Sequence, residues 1–238
     1  MQLLIAIPAY NEAALLARNV ERLLAFCQEQ LQDWQWQIVI VDNGSTDATG
    51  AIADSLARRF PAVSVRRVAL PGKGRAIRAG WLAATADVYC FMDADLATEL
   101  EALPRLLASL GTAELAIGSR AHLESVVRRR FTRRYCSAGY RLLARVLVQT
   151  RLQDLPCGFK AITHRACQVL LPMVEDNGWF FDSELVLLAE RRGYQIAQIP
   201  VRWSEPRSAS GRHRLNIFSV SVQYARQLWR MRRRLITR

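Results

Sequence analysis

Four short apolar runs, each cut off by a polar or Gly/Pro cluster and followed by a helix-patterned stretch, constrain this chain more than any other feature. The first, residues 3–7, stops at Pro8, and Asn11-Glu12 then opens a helix to about residue 32 with Leu15, Leu16, Val20, Leu23, Leu24 and Phe26 on its apolar face. The second, residues 37–41, breaks at Asp42-Asn43-Gly44-Ser45-Thr46-Asp47, where Ser45 or Thr46 is placed to cap a helix running to about residue 60. The third alternates over residues 63–68, and after Pro71-Gly72-Lys73-Gly74 a helix is expected from residue 75 to about 84. The fourth, residues 87–92, ends in Asp93-Ala94-Asp95. Runs apolar on both faces and spaced by helices predict an α/β fold with a mainly parallel sheet covered on both sides. In such a sheet the loops carrying Asp42, Lys73 and Asp93/Asp95 meet at one edge, where α/β proteins bind ligands.

Beyond residue 95 the same reading gives a helix over 99–110 despite Pro104, a strand over 114–117 ending in Gly118-Ser119-Arg120, and helical patterning across 126–148. A strand follows Asp154 and runs to residue 162, with a helix to about 171. Trp179-Phe180-Phe181-Asp182-Ser183-Glu184 leads into another helix, residues 195–203 alternate as a late strand around Pro200, and residues 215–235 form a basic amphipathic helix. No repeat or linker divides the chain, so 238 residues read as one domain over 1–214, with 215–238 part of it or a membrane-surface element.

Asp93 and Asp95, one residue apart just past a strand end, can approach a single cation. Oxygen ligands of this kind suit Mg²⁺ or Mn²⁺, whose shell is completed by water and substrate phosphates. Taken alone, the pair equally fits a surface turn or a helix cap.

Net charge is +12 and unevenly spread: seven arginines and no acid between residues 128 and 145, nine and no acid between 207 and 238. Such segments seek phosphates on nucleotides, nucleic acids or anionic lipids. Of 33 basic residues only Lys73 and Lys160 are lysines, which singles both out. Nucleic-acid binding is the reading from another class, but no helix-turn-helix, zinc or RRM signature accompanies the charge. Five scattered cysteines without a C-x-x-C pair argue against disulfides and zinc. No apolar run is long enough to span a bilayer, and the first residues read as a strand rather than a signal peptide, so a cytoplasmic location is expected, peripheral at the inner membrane face.

The order and spacing of Ile7-Pro8-Ala9-Tyr10-Asn11-Glu12, Val41-Asp42-Asn43-Gly44-Ser45-Thr46-Asp47, Gly72-Lys73-Gly74 and Asp93-Ala94-Asp95 resemble family 2 glycosyltransferases of the GT-A fold. Gly118-Ser119-Arg120-Ala121-His122-Leu123, Cys157-Gly158-Phe159-Lys160, Phe181-Asp182-Ser183-Glu184-Leu185 and Val201-Arg202-Trp203 extend the resemblance to the polyprenyl-phosphate branch, dolichyl-phosphate glucosyltransferases above all. The resemblance implies that Pro8, Ala9, Tyr10 and Glu12 line a nucleotide pocket, that Asp42 meets the base, and that Lys73 sits near base and ribose with Gly72 and Gly74 allowing close backbone approach. Asp95 would be the direct metal ligand, with Asp93 sharing the ion or contacting ribose.

Arg120, Arg133 and Ser137 match positions that grip donor and acceptor phosphates, a task suited to the planar arginine fork. Asp154 is the first candidate for orienting or deprotonating the acceptor, Asp182 and Glu184 the second; the latter two also fit a helix N-terminal acid pair. Near the end, relatives carry Gly-x-Ser-Lys where this chain has Gly211-Arg212-His213-Arg214, so only a loose phosphate contact carries over to Arg207 and Arg214. Mannosyl relatives often have Gln where this chain has Ala97, which leans the sugar toward glucose. The implied activity is inverting, metal-dependent transfer of a hexose, with UDP-glucose as donor and a polyprenyl phosphate as acceptor at the cytosolic membrane face. A soluble small-molecule or other lipid acceptor is the alternative.

Overall fold

Leu4, Ala6, Val39 and Val41 pack to one side of the central sheet and Leu3, Ile5, Ile7, Ile38 and Ile40 to the other, because successive side chains of a strand point to opposite faces. This is why the runs are apolar without a break: each face has its own core. The structure is a computed structural model that describes residues 1–128, 131–204 and 217–236. Its seven-stranded sheet has the order β3-β2-β1-β4-β7-β5-β8, built from β1 (Gln2–Ala9), β2 (Gln35–Asp42), β3 (Val63–Arg67), β4 (Val88–Met92), β5 (Leu115–Ser119), β7 (Phe159–Thr163) and β8 (Ile196–Pro200). A second sheet pairs β6 (Val126–Arg128) with β9 (Arg202–Ser204).

One face is covered by α1 (Leu16–Gln30), α2 (Thr49–Arg59) and α4 (Leu103–Ala108). The other is covered by α3 (Lys73–Trp81), α5 (Phe131–Val148), α6 (His164–Leu170), α7 (Phe181–Arg191) and α8 (Ile217–Ile236). The basic helix α8 lies against α5 and buries Leu228 and Met231 in this core.

Several elements differ from the sequence reading, each for a local reason. β7 is antiparallel to both neighbours, β4 and β5. The chain leaves β5 at the ligand edge and comes back at that same edge, so β7 must run the other way. α1 begins at Leu16 instead of Asn11, because Asn11 adopts φ 55° and turns the chain into the edge loop. Neither Ser45 nor Thr46 caps α2, which starts at Thr49: the Ser45 hydroxyl accepts from Asn11 N at 3.1 Å, and Thr46 donates to the Asn11 side chain. Residues 126–128 are the strand β6, not the start of a helix. Pro104 sits in the first turn of a shortened α4, where a missing N–H costs no hydrogen bond.

Candidate active site at the ligand edge of the sheet

Two loops are laced together at the ends of β1 and β2. Asn11 Oδ1 accepts from Thr46 N at 2.8 Å, and Glu12 N donates to Thr49 Oγ1 at 2.8 Å. Pro8 and Ala9 pair with Val41 and Asp42 in the register of β1 and β2, so the expected pocket residues stand side by side. Asp42 is buried and accepts from Ser45 N at 3.1 Å. Its other oxygen fills the space where a Cβ on Gly50 would stand, 2.7 Å away. Asn43 Oδ1 then accepts from Gly72 N at 2.8 Å and ties in the next loop.

That loop delivers Lys73 at the start of α3. Its buried ammonium lies 2.7 Å from Asp93 Oδ1 and 2.8 Å from Asp182 Oδ2. Burial alone would favour the neutral amine, but the two carboxylates outweigh it and raise the lysine pKa. One ammonium serves two acids, and the more deeply buried of them, Asp182, is itself pushed up by burial against the pull of Lys73. Among the described residues Asp182 Oδ1 has no hydrogen-bond partner. Gly72 and Gly74 do permit a close backbone approach, though by another part of this chain. A Cβ on Gly72 would stand 2.3 Å from Asn177 O, and one on Gly74 2.7 Å from Asp176 O.

The Asp-Ala-Asp turn after β4 is held at three points. Leu96 N donates back to Asp93 O at 3.0 Å, Asn19 Nδ2 to Ala94 O at 2.8 Å, and Ala97 N to Asp95 Oδ1 at 3.0 Å. Leu96 takes φ 46°, an unusual conformation for a branched residue, found where surrounding contacts impose it. Burial and then Asp93 push the Asp95 carboxyl up to about 6. Burial, followed by Asp95, Asp93 and Asp47, pushes Glu12 up to about 7. Acids that resist ionisation through burial first and one another's charge second form a site short of positive charge.

On the far side of the turn, Arg120 Nε and Nη2 make a forked pair with Asp154 at 2.8 and 2.7 Å, and the backbone N of Arg120 adds a third bond to Asp154 at 2.7 Å. Burial opposes ionisation of Asp154, but Arg120 more than offsets it and holds the acid below the usual carboxylate range. The Trp203 ring lies 5.5 Å from the guanidinium, while β9 holds the turn through Ser204 N to Ala97 O at 2.9 Å. Between them is a cavity of about 80 Å³ lined by Asp93, Asp95, Arg120, Gly158 and Trp203.

The sequence model of glycosyl transferase family 2 matches residues 4–171. The chain belongs to this family. The family 2 chain is 30% identical over 247 residues to a dolichyl-phosphate beta-glucosyltransferase of Dictyostelium discoideum, covering 98% of this chain and 74% of that protein. It is 32% identical over 213 residues to one from Trichomonas vaginalis, covering 84% of this chain and 63% of that protein, so it spans roughly two thirds of the length of such relatives. Among solved structures it is similar to glucosyl-3-phosphoglycerate synthase from Mycobacterium tuberculosis in complex with Mn²⁺, UDP-glucose and phosphoglyceric acid. The TM-score is 0.70 at 19% identity, covering 97% of this chain and 79% of that one. A mannosyltransferase from Pyrobaculum calidifontis, in complex with GDP-mannose and Mn²⁺, gives a TM-score of 0.58 at 19% identity, covering 93% and 64%. The family 2 chain thus has the GT-A fold of these glycosyltransferases, with its mostly parallel sheet.

In this family 2 chain the donor set suits a divalent metal. Asp93 and Asp95 offer hard oxygen atoms in a crowded acidic corner, the kind of donor that Mg²⁺ and Mn²⁺ take together with water or phosphate oxygens. Asp93 is ion-paired with Lys73, whereas Asp95 makes no ion pair among the described residues.

Asp42, Lys73, Asp93, Asp95 and Arg120 gather at the edge as expected. Glu184 does not join them. Its carboxylate accepts from Glu175 N at 3.1 Å and Asp176 N at 2.8 Å, and bonds Arg234 of α8. It fastens a loop and a helix together, and with both oxygens engaged in this way the catalytic role expected of Glu184 finds no support in its contacts. Asp154 is paired with Arg120, which holds its carboxylate ionised and leaves it a poor proton acceptor. Arg207 and Arg214 lie outside the described residues, while Arg133 and Ser137 fall on α5 where their side chains are outside the described ones. Asn19, Gly50, Gly158 and Trp203 belong to the site's frame and carried no role in the sequence reading. Nothing local to Asn19, Gly158 or Trp203 announces contacts 65 to 83 residues away in the chain.

Proposed function

We propose that this chain transfers glucose from UDP-glucose, with inversion and with a divalent metal, onto a polyprenyl phosphate at a membrane surface. The observation that carries the reading is the shared cavity in which the Asp93/Asp95 turn faces an arginine locked in place by Asp154. A carboxylate pair serves a metal-bound diphosphate, and the arginine at the end of β5, two strands along, serves a second phosphate through guanidinium N–H groups other than the two given to Asp154. Mg²⁺ or Mn²⁺ held by Asp95 and Asp93 would neutralise charge on the diphosphate as it leaves.

The rest falls to the chain's own residues. Asp42 would accept a hydrogen bond from the base, Lys73 would keep the Asp93 carboxylate oriented, and Arg120 would align the acceptor. An acceptor phosphate supports this reading over an alcohol. Its second pKa lies near 6, so it arrives ionised and needs no strong base. The two acids in line for that task, Asp154 and Asp182, are tied to Arg120 and Lys73. Glucose is supported by the names of the relatives and by Ala97.

No described helix is long and apolar enough to cross a membrane. Peripheral attachment is supported by exposed Leu142 and Val146 on α5 and Trp229 on α8, set among the exposed arginines Arg145, Arg226, Arg230 and Arg233. Apolar anchors ringed by cations suit an anionic lipid surface, and the cytosolic face fits them. Labelled UDP-glucose incubated with polyprenyl phosphate and Mn²⁺ should yield label in an organic-extractable, acid-labile lipid. Label confined to water-soluble product would overturn the lipid acceptor. Stabilisation of the protein by UDP plus metal should vanish in Asp95→Ala.

A further inference from the structure

Lys160 has no part in the chemistry above, yet it is one of only two lysines and has no solvent exposure at all. It lies on β7, the antiparallel strand inserted between β4 and β5, and its register partners are Phe91 on one side and Ile117 on the other. Those strands end in the two halves of the site: β4 leads to Asp93, β5 to Arg120.

The ammonium donates to Leu155 O at 2.9 Å and also to Cys157 O. These carbonyls bracket a three-residue turn. Immediately before it stands Asp154, which holds Arg120 by three hydrogen bonds. Immediately after it stands Gly158, whose carbonyl accepts from Asp93 N at 3.2 Å and whose bare Cα leaves the space that the Asp93 carboxylate fills. Lys160 makes no ion pair among the described residues; burial pulls its pKa down, and the nearby Asp182 and Asp154 offset this only in part. Burying a cation merely to satisfy two carbonyls is costly, and ammonium groups with that option are normally left at the surface.

We propose that Lys160 is a positioning residue that sets the donor and acceptor halves of the site together, through the 155–157 turn. The proposal rests on the functional reading above. Without the ammonium the turn loses both anchors, and Asp154 and Gly158 lose their fixed spacing. Arg120 and the Asp93 carboxylate then drift at once, so both substrates are affected by a residue that touches neither.

Selective ¹⁵N-lysine labelling gives a spectrum with two ammonium signals, assigned with Lys73→Arg. In wild-type protein the Lys160 signal should be protected from exchange. It should shift on adding UDP with Mg²⁺, and separately on adding farnesyl phosphate. A Lys160 signal unmoved by either probe, in protein that binds both, overturns the proposal without any need for a Lys160 variant to fold. In kinetics, Lys160→Met should raise KM for UDP-glucose and for the polyprenyl phosphate at least fivefold each and lower kcat at least tenfold. Leu170→Ala, a core change of comparable thermal cost, should leave both KM values in place. Lys160→Met with only a lowered Tm, or with one KM changed and the other not, also overturns it. Wild-type protein that binds neither probe overturns the glycosyltransferase reading itself, and the proposal with it.

Discussion

The Asp93 carboxylate occupies the volume that a side chain on Gly158 would need: a Cβ placed there stands 1.9 Å from Oδ2. Any residue but glycine at 158 must turn the aspartate out of its contact with Lys73. Gly158→Ala is therefore expected to lower kcat/KM at least tenfold and weaken metal-dependent UDP binding while leaving Tm nearly unchanged. Steady-state kinetics with a thermal melt of the same preparation checks this, and a variant with normal UDP affinity would show that Asp93 has another place to go.

Arg120 and Asp154 form a largely buried forked pair, and removing one charge strands the other. Asp154→Asn should cost about 3 kcal/mol of stability at pH 7. Because the folded-state pKa of Asp154 lies below its unfolded value, its contribution is complete above roughly pH 4 and is lost as pH falls through the folded pKa. Urea titrations should show a gap between wild type and variant that is flat from about pH 7 to 5 and closes in stronger acid. A gap that closed as pH rose would contradict the assignment.

Glu184 separates a structural acid from a catalytic one. Its bonds to the 175–176 backbone and Arg234 predict that Glu184→Gln loses about 2 kcal/mol. Activity per folded molecule should hold within about threefold, since a surface or structural acid supplies no transition-state charge. A thousandfold loss of kcat in a stable variant would return Glu184 to the chemistry.

The exposed apolar residues of α5 and α8 make a separate prediction about place. Leu142→Ser with Trp229→Ser should abolish flotation with vesicles containing anionic phosphatidylglycerol, while turnover of detergent-dispersed acceptor is retained. Unchanged flotation would move membrane contact elsewhere on the surface.

By itself the sequence determined the alternation of strand and helix, the two-sided burial of the sheet, and the arrival of Asp42, Lys73 and Asp93/Asp95 at one edge. These follow from periodicity and turn chemistry, which act over a few residues. The ordered loops also sufficed to mark the family. What only the tertiary structure decided is how the charges pair. Lys73 is shared by Asp93 and Asp182, Asp154 is taken by Arg120, and Glu184 is turned to α8. Strand direction belongs to the same group, since β7 looks like its neighbours in composition and runs against them because of where the preceding excursion ends. Pairing of buried charges depends on distances between segments far apart in the chain, and no local pattern encodes them. A glycine such as Gly158 is silent in sequence for the same reason: its function is the space it leaves for a carboxylate 65 residues away.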